Sequence, residues 1–230
     1  MATFPRYAVY YAPAVGTLLD RFGAQLLGYN AWTGADLPFA DGIVETIADW
    51  QELTQDARKY GFHATLKAPF GLADNGNEDG LRTACAAFAA TPRTVPLIRP
   101  VVAEISGFIA VVPGDPSHEL QQLAAECVRA FEAFRAPTTA EDRARRKPER
   151  MTPRQVEYLD RFGYPFVMDE FRFHMTLTCR LNDDRRASIL GLLRHRFNAL
   201  ALERLAIDRI ALFRQDDASS RFHIVESWPL

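Results

Sequence analysis

Phe62-His63-Ala64-Thr65-Leu66-Lys67 and Phe173-His174-Met175-Thr176-Leu177-Thr178 carry one pattern, His-x-Thr-Leu, twice in a single chain. In an extended strand, side chains two residues apart point to the same face. His63, Thr65 and Lys67 then share one side, and Phe62, Ala64, Leu66 and Ala68 the other. The second stretch divides more sharply. Arg172, His174, Thr176, Thr178 and Arg180 form a polar row, while Phe171, Phe173, Met175, Leu177, Cys179 and Leu181 form an apolar one. A strand with one polar and one apolar face belongs to an antiparallel sheet packed on helices by its apolar side. The polar rows must therefore look outward.

A face of imidazole and hydroxyl groups presented twice suits a phosphoryl group held between two proton-transfer residues. Imidazole ionises at a pKa of about 6.5 and serves as acid or base near neutrality. The two threonine hydroxyls supply neutral donors for phosphoryl oxygens, so the pattern calls for no metal and no cofactor. A lone strand histidine more often just bonds a neighbour. The repetition decides for function here, because only two of the five histidines sit in matching frames. His118, His195 and His223 have no such partner and read as structural.

The 230 residues are 48% hydrophobic and 24% charged, ordinary for a globular chain with a sizeable core. A formal net charge of −2 gives no general attraction to polyanions. A small phosphorylated substrate is expected, and long nucleic acid is not. No apolar run approaches bilayer length, and Met1 to Arg6 lacks a charged leader before an apolar stretch, so a cytoplasmic location with no membrane partner is expected. Cys85, Cys127 and Cys179 are widely spaced within apolar patterns and read as small hydrophobes rather than a disulfide framework or zinc site. Oligomeric state is left open.

Strand and helix signals alternate along the chain. An opening strand at Arg6 to Ala12 precedes a helix over Thr17 to Leu27, a Gly- and Pro-rich loop from Asn30 to Gly42, and a helix over Val44 to Leu53. After the first His strand come an Ala-rich helix over Leu81 to Ala90 and a hairpin of Val95 to Ile105 with Phe108 to Val112. A second round follows: an amphipathic helix from Ser117, a polar stretch Thr138 to Arg150, a helix from Thr152-Pro153, the second His strand, a helix over Asp183 to Leu200 and a last strand pair. The expected fold is α+β: one bilobal, pseudo-duplicated domain over residues 1–230, with antiparallel sheets flanked by outer helices and a central cleft. The lobes fall roughly at 1–115 and 116–230, with strand exchange between them left open. Duplication predicts that the two polar rows face each other across that cleft.

The paired motifs His63-Ala64-Thr65-Leu66 and His174-Met175-Thr176-Leu177 resemble the hallmark of the two-histidine (2H) phosphoesterase superfamily. Tyr60 through Phe70, Thr152 to Gln155, Phe162 to Val167 and Phe171 to Thr178 are similar to a bacterial family encoded in phosphonate-metabolism operons. The resemblance implies a bilobal fold and metal-independent hydrolysis of a small cyclic phosphate or phosphodiester, with both histidines catalytic and Thr65 and Thr176 binding phosphate. It points to a ribosyl cyclic phosphate in phosphonate catabolism. The alternatives are an RNA-end 2′,3′-cyclic phosphodiesterase or 2′-5′ ligase-like enzyme, and a phosphate-ligand sensor without catalysis. Which histidine is acid and which is base stays open.

Further candidates follow from position. Arg172 lies roughly 7 Å along the strand from His174 on the same face, within reach of phosphoryl oxygens. Lys67, about 13 Å from His63, would meet a distal group or lie along the surface. Thr178 stands in the equivalent place, and Tyr10 on the opening strand is a pocket-lining candidate. Arg143 to Lys147, with Arg154, reads either as a clamp for a second phosphate or as a solvated loop.

Overall fold

The computed structural model describes residues 4–230. In chain order the elements are β1 (Arg6–Tyr11), α1 (Leu18–Leu27), β2 (Tyr29–Asn30), β3 (Ala35–Asp36), α2 (Ile43–Thr46), α3 (Trp50–Arg58), β4 (Ala64–Gly71), α4 (Glu78–Ala90), β5 (Leu97–Ile98), β6 (Pro100–Ile105) and β7 (Phe108–Pro113). There follow α5 (His118–Ala130), α6 (Ala140–Arg145), α7 (Pro153–Phe162), β8 (Met175–Thr176), α8 (Asp183–Asn198), β9 (Leu205–Ala206), β10 (Arg209–Gln215) and β11 (His223–Pro229). Several of the helices begin where short polar side chains satisfy free N–H groups. Thr17 caps α1, Ser117 caps α5, and Thr152 with Gln155 forms a reciprocal capping box at α7.

Seven strands form one sheet in the order β11-β10-β1-β4-β8-β7-β6, every neighbouring pair antiparallel. The alternation of β1 shows why the sheet has two unlike faces. Tyr7, Val9 and Tyr11 enter the main core with Leu19 and Phe22 of α1, Trp50 of α3, Leu81 of α4, Leu123 of α5 and Leu193 of α8. Ala8, Tyr10 and Ala12 point the other way, into a smaller cluster with Tyr29, Ala211, Phe213 and Phe222. The second face is thus only partly covered, which leaves space for a site.

The α+β class with antiparallel pairing is as the sequence predicts. The expectation of two sheets presenting their histidines across a cleft is corrected: β4 and β8 are neighbours within one sheet. Sequence halves interleave in it, since β10 and β11 extend β1 while β6 and β7 extend β8. The blocks β11-β10-β1-β4 and β8-β7-β6 meet through a single paired step, Ala64 with Met175. The second His strand is only two residues long, because the chain leaves the sheet on either side of it.

Candidate functional site

That paired step determines the geometry. Ala64 and Met175 both lie in the main core, so the residues flanking each of them must point to the opposite face. Continuing the antiparallel register sets His63 across from Thr176 and Thr65 across from His174. The two imidazoles stand diagonally on a four-residue patch, their backbones about 7–8 Å apart. They feel each other electrostatically, His174 being among the groups that lower the pKa of His63.

The two rings are held alike. His63 Nδ1 lies 2.9 Å from the carbonyl of Gly61, and His174 Nδ1 lies 2.7 Å from the carbonyl of Arg172, each two residues back. A carbonyl only accepts, so Nδ1–H must donate in both cases and Nε2 keeps its lone pair. Thr65 Oγ1 sits 3.4 Å from Nε2 of His63 and donates its hydroxyl hydrogen to that lone pair. Gly61 can aim its carbonyl at the ring because it adopts φ +75°, and a Cβ there would lie 2.6 Å from that of Ala31. Tyr10 stacks on His63 with ring centroids 3.9 Å apart and planes at 24°. Tyr60 and Phe213 flank the same ring at 6.0 and 5.9 Å.

These surroundings fix the charge state. Burial pushes the His63 imidazole from 6.5 down to about 4, only partly opposed by its bond to Gly61. Burial also lowers His174, against the bond to Arg172. Each ring has a solvent-facing edge and packed flanks, and the packed flanks dominate the desolvation. At pH 7 both are neutral, each an Nδ1–H donor inward and an Nε2 acceptor outward. A groove of about 390 Å³ opens beside them, lined among others by Thr65, Phe108, Tyr164, Phe166, Arg172 and His174.

The structure brings His63, Thr65, His174 and Thr176 together and sets exposed Arg172 at the groove's rim. Two other candidates turn inward, both for one reason. Tyr10 pairs with Thr65 but Val9 pairs with Lys67, so two residues of β4 oppose one step of β1. This bulge swings Lys67 to the core side of the sheet. It is 2% exposed, bonded to the Val128 carbonyl at 3.3 Å and ion-paired with Glu132. The second motif repeats the irregularity at the equivalent place: the N–H groups of Leu177 and Thr178 both donate to the Ile109 carbonyl. Thr178 is fully buried, its Oγ1 accepting from Ile109 N–H at 3.1 Å and donating to the Cys179 carbonyl. Neither Lys67 nor Thr178 reaches the groove, which corrects their reading as substrate contacts. Tyr10, 1% exposed, lies behind His63 and fixes the ring rather than meeting a ligand.

The basic stretch splits up. Arg143 pairs with Asp160 at 2.6 Å, Arg145 with Asp142, and Arg154 with Glu157 at 3.0 Å. Arg146 instead lies over the Tyr164 ring, 5.2 Å from its centroid. Tyr60, Tyr164 and Arg6 also belong to this neighbourhood and were missed from the sequence. Arg6 carried a readable signal, since it shares the strand face of Tyr10. Cys85 and Cys127 are buried as expected, while Cys179 is half-exposed.

Residues 65–223 match the family model described as a protein of unknown function, DUF1045, and the chain belongs to that family. It is similar to two curated proteins named ribose 1,5-bisphosphate phosphokinase PhnN. The one from Janthinobacterium sp. (strain Marseille) is 34% identical over 224 residues, covering 94% of this chain and 49% of that protein. The one from Laribacter hongkongensis (strain HLHK9) is 30% identical over 223 residues, covering 95% and 50%. The chain thus spans about half the length of the curated relatives it matches. Among solved structures, a conserved protein of unknown function, ATU0111 from Agrobacterium tumefaciens str. C58, aligns with a TM-score of 0.43 at 13% identity, over 96% of this chain and 85% of that one.

These relatives overturn the expectation of hydrolysis. Both are named for a kinase, which adds a phosphoryl group to a phosphorylated ribose, rather than for opening a cyclic phosphodiester. The RNA-end and sensor alternatives fit those names no better. Among the described residues, no helix is long and apolar enough to cross a membrane.

Proposed function

We propose that the chain is a phosphoryl-transfer module acting on a phosphorylated ribose, with the two imidazoles moving protons at the phosphoryl group. The observation that carries this is the matched pair of neutral Nδ1–H imidazoles, each with Nε2 as its acceptor edge, side by side with two threonine hydroxyls. The likeness to the two-histidine superfamily supports this patch as the reacting centre, and the relatives' names supply the substrate class. Encoding beside phosphonate-metabolism genes belongs to the same reading.

One Nε2 accepts the proton of the sugar hydroxyl as its oxygen bonds to the terminal phosphorus of a phosphoanhydride donor. The bond from that phosphorus to the donor's bridging oxygen breaks, the donor leaves as the shortened anion with that electron pair, and the threonine hydroxyls donate to the non-bridging oxygens. Depressed pKa values keep both rings ready to accept a proton at neutral pH. The proposal concerns the handling of the phosphorylated pentose. The phosphokinase activity named for the longer relatives is a property of their whole chains.

The test is a titration with ribose 1,5-bisphosphate followed by imidazole nitrogen NMR. Binding at the patch should move the Nε2 signals of His63 and His174 toward the protonated range, because an anion beside a ring favours its charged form. His63→Ala and His174→Ala should each remove one signal and weaken binding without unfolding the chain. Imidazole signals unmoved at saturating ligand would end the proposal.

A further inference from the structure

Beside the histidine patch lies a second hollow, of about 360 Å³, whose lining includes Arg6, Tyr60, Arg135, Asp142, Arg145 and Arg146. Among the described residues that line it are four arginines and one aspartate. Two of the arginines are already engaged: Arg135 pairs with Glu132 at 2.7 Å, and Arg145 pairs with Asp142. Neither Arg6 nor Arg146 has a carboxylate partner among the described residues.

Arg6 is held without being neutralised. Its Nε, at 2.9 Å, and its Nη2 both donate to Gln215 Oε1, which leaves the Nη1–Nη2 edge for a ligand, and fully buried Gln215 is itself anchored by Nε2 donating to the Ser220 carbonyl at 2.7 Å. A neutral amide thus orients the guanidinium while leaving its charge available. Opposite Arg6 on β4 stands Gly71, which sends no side chain over it. Arg146 rests on Tyr164, whose ring lines the histidine groove, so one aromatic ring separates the two hollows. Tyr60 joins them on the other side: it lines the basic hollow and lies 6.0 Å from the His63 ring. Arg6 and Tyr10 occupy the same face of β1 four residues apart, about 13 Å along the strand, and Tyr10 carries His63.

From this arrangement we infer that the basic hollow is a second phosphate subsite, in which Arg6 and Arg146 take the far phosphate of a sugar whose other phosphoryl group meets the histidines. This rests on the proposed function and narrows its substrate to pentoses phosphorylated at both ends. Guanidinium forks suit phosphate because they donate two parallel hydrogen bonds as well as charge.

The experiment follows arginine Nε–H and imidazole signals together in one titration with ribose 1,5-bisphosphate. Both sets should move. Arg6→Gln with Arg146→Gln should weaken binding by about tenfold or more, the loss expected for charge-assisted hydrogen bonds, while the imidazole signals still move at higher ligand. Movement of the imidazoles alone, or unchanged affinity in the double variant, would overturn the inference and leave the proposed function standing. Movement of the arginines alone would remove the proposed function and with it the shared substrate.

Discussion

Lowering the pH should destabilise the protein in a way traceable to one ring. His63 titrates at about 4 in the folded chain against 6.5 for an unhindered imidazole, chiefly through burial. A depressed folded value means that the unfolded chain binds the proton first. Stability is therefore fully present above pH 6.5, falls as the pH drops below it, and stops falling on this account near 4. Within that window one extra proton on the unfolded state gives a slope of about 1.4 kcal/mol per pH unit. Between neutrality and about pH 5 the loss from His63 is then about 2 kcal/mol, and His174, lowered in the same direction, adds to it. Carboxylates titrate in the lower part of this range, so the informative quantity is a difference. Urea unfolding of the native chain and of His63→Gln, at a series of pH values, should give free-energy curves that converge as pH falls, the native curve being steeper by the slope above. Parallel curves, or a His63 midpoint near 6.5 by NMR, would refute the burial argument and with it the neutral, proton-accepting state of the ring.

The inward turn of Lys67 predicts an asymmetry. Glu132→Ala strands a buried ammonium with the Val128 carbonyl and the Phe70 ring but no counter-charge and should cost about 3 kcal/mol, whereas Lys67→Met leaves Glu132 paired with Arg135 and should stay within about 1 kcal/mol, both read by urea unfolding. Thr178→Val removes the acceptor for Ile109 N–H and should cost about 1–3 kcal/mol while leaving ribose 1,5-bisphosphate affinity unchanged by calorimetry. Gly61→Ala forces a side chain into φ +75° and against Ala31; a loss of at least about 1–2 kcal/mol and an altered His63 nitrogen signal are expected by melting and NMR.

Period-two alternation made the core side of the second motif legible: Phe173, Met175 and Leu177 are buried as the sequence predicts. The same rule failed one step later, at Thr178, and at the matching Lys67. A bulge adds a residue without changing composition, so nothing in Leu66-Lys67 or Leu177-Thr178 announces that the next side chain changes face. Strand order was illegible for a different reason. Repeated motifs imply symmetry, and two histidine strands related by symmetry can face each other across a gap or lie side by side in one sheet. The choice depends on β6 and β7 returning to β8, a pairing between distant segments that local pattern does not record. The face that Arg6 shares with Tyr10 is legible from alternation, whereas its anchoring by Gln215, far away in the chain, is not.

Both rings take their orientation from the main-chain oxygen of the residue two positions earlier. Alanine scanning is blind to that dependence, because truncating Arg172 to its Cβ leaves the C=O in place. A side-chain survey would then score position 172 by its guanidinium alone and miss what it does for its neighbour. Semisynthesis with a thioamide at 61 or 172 exchanges the oxygen for a weaker sulfur acceptor and reads the backbone's share of the site directly.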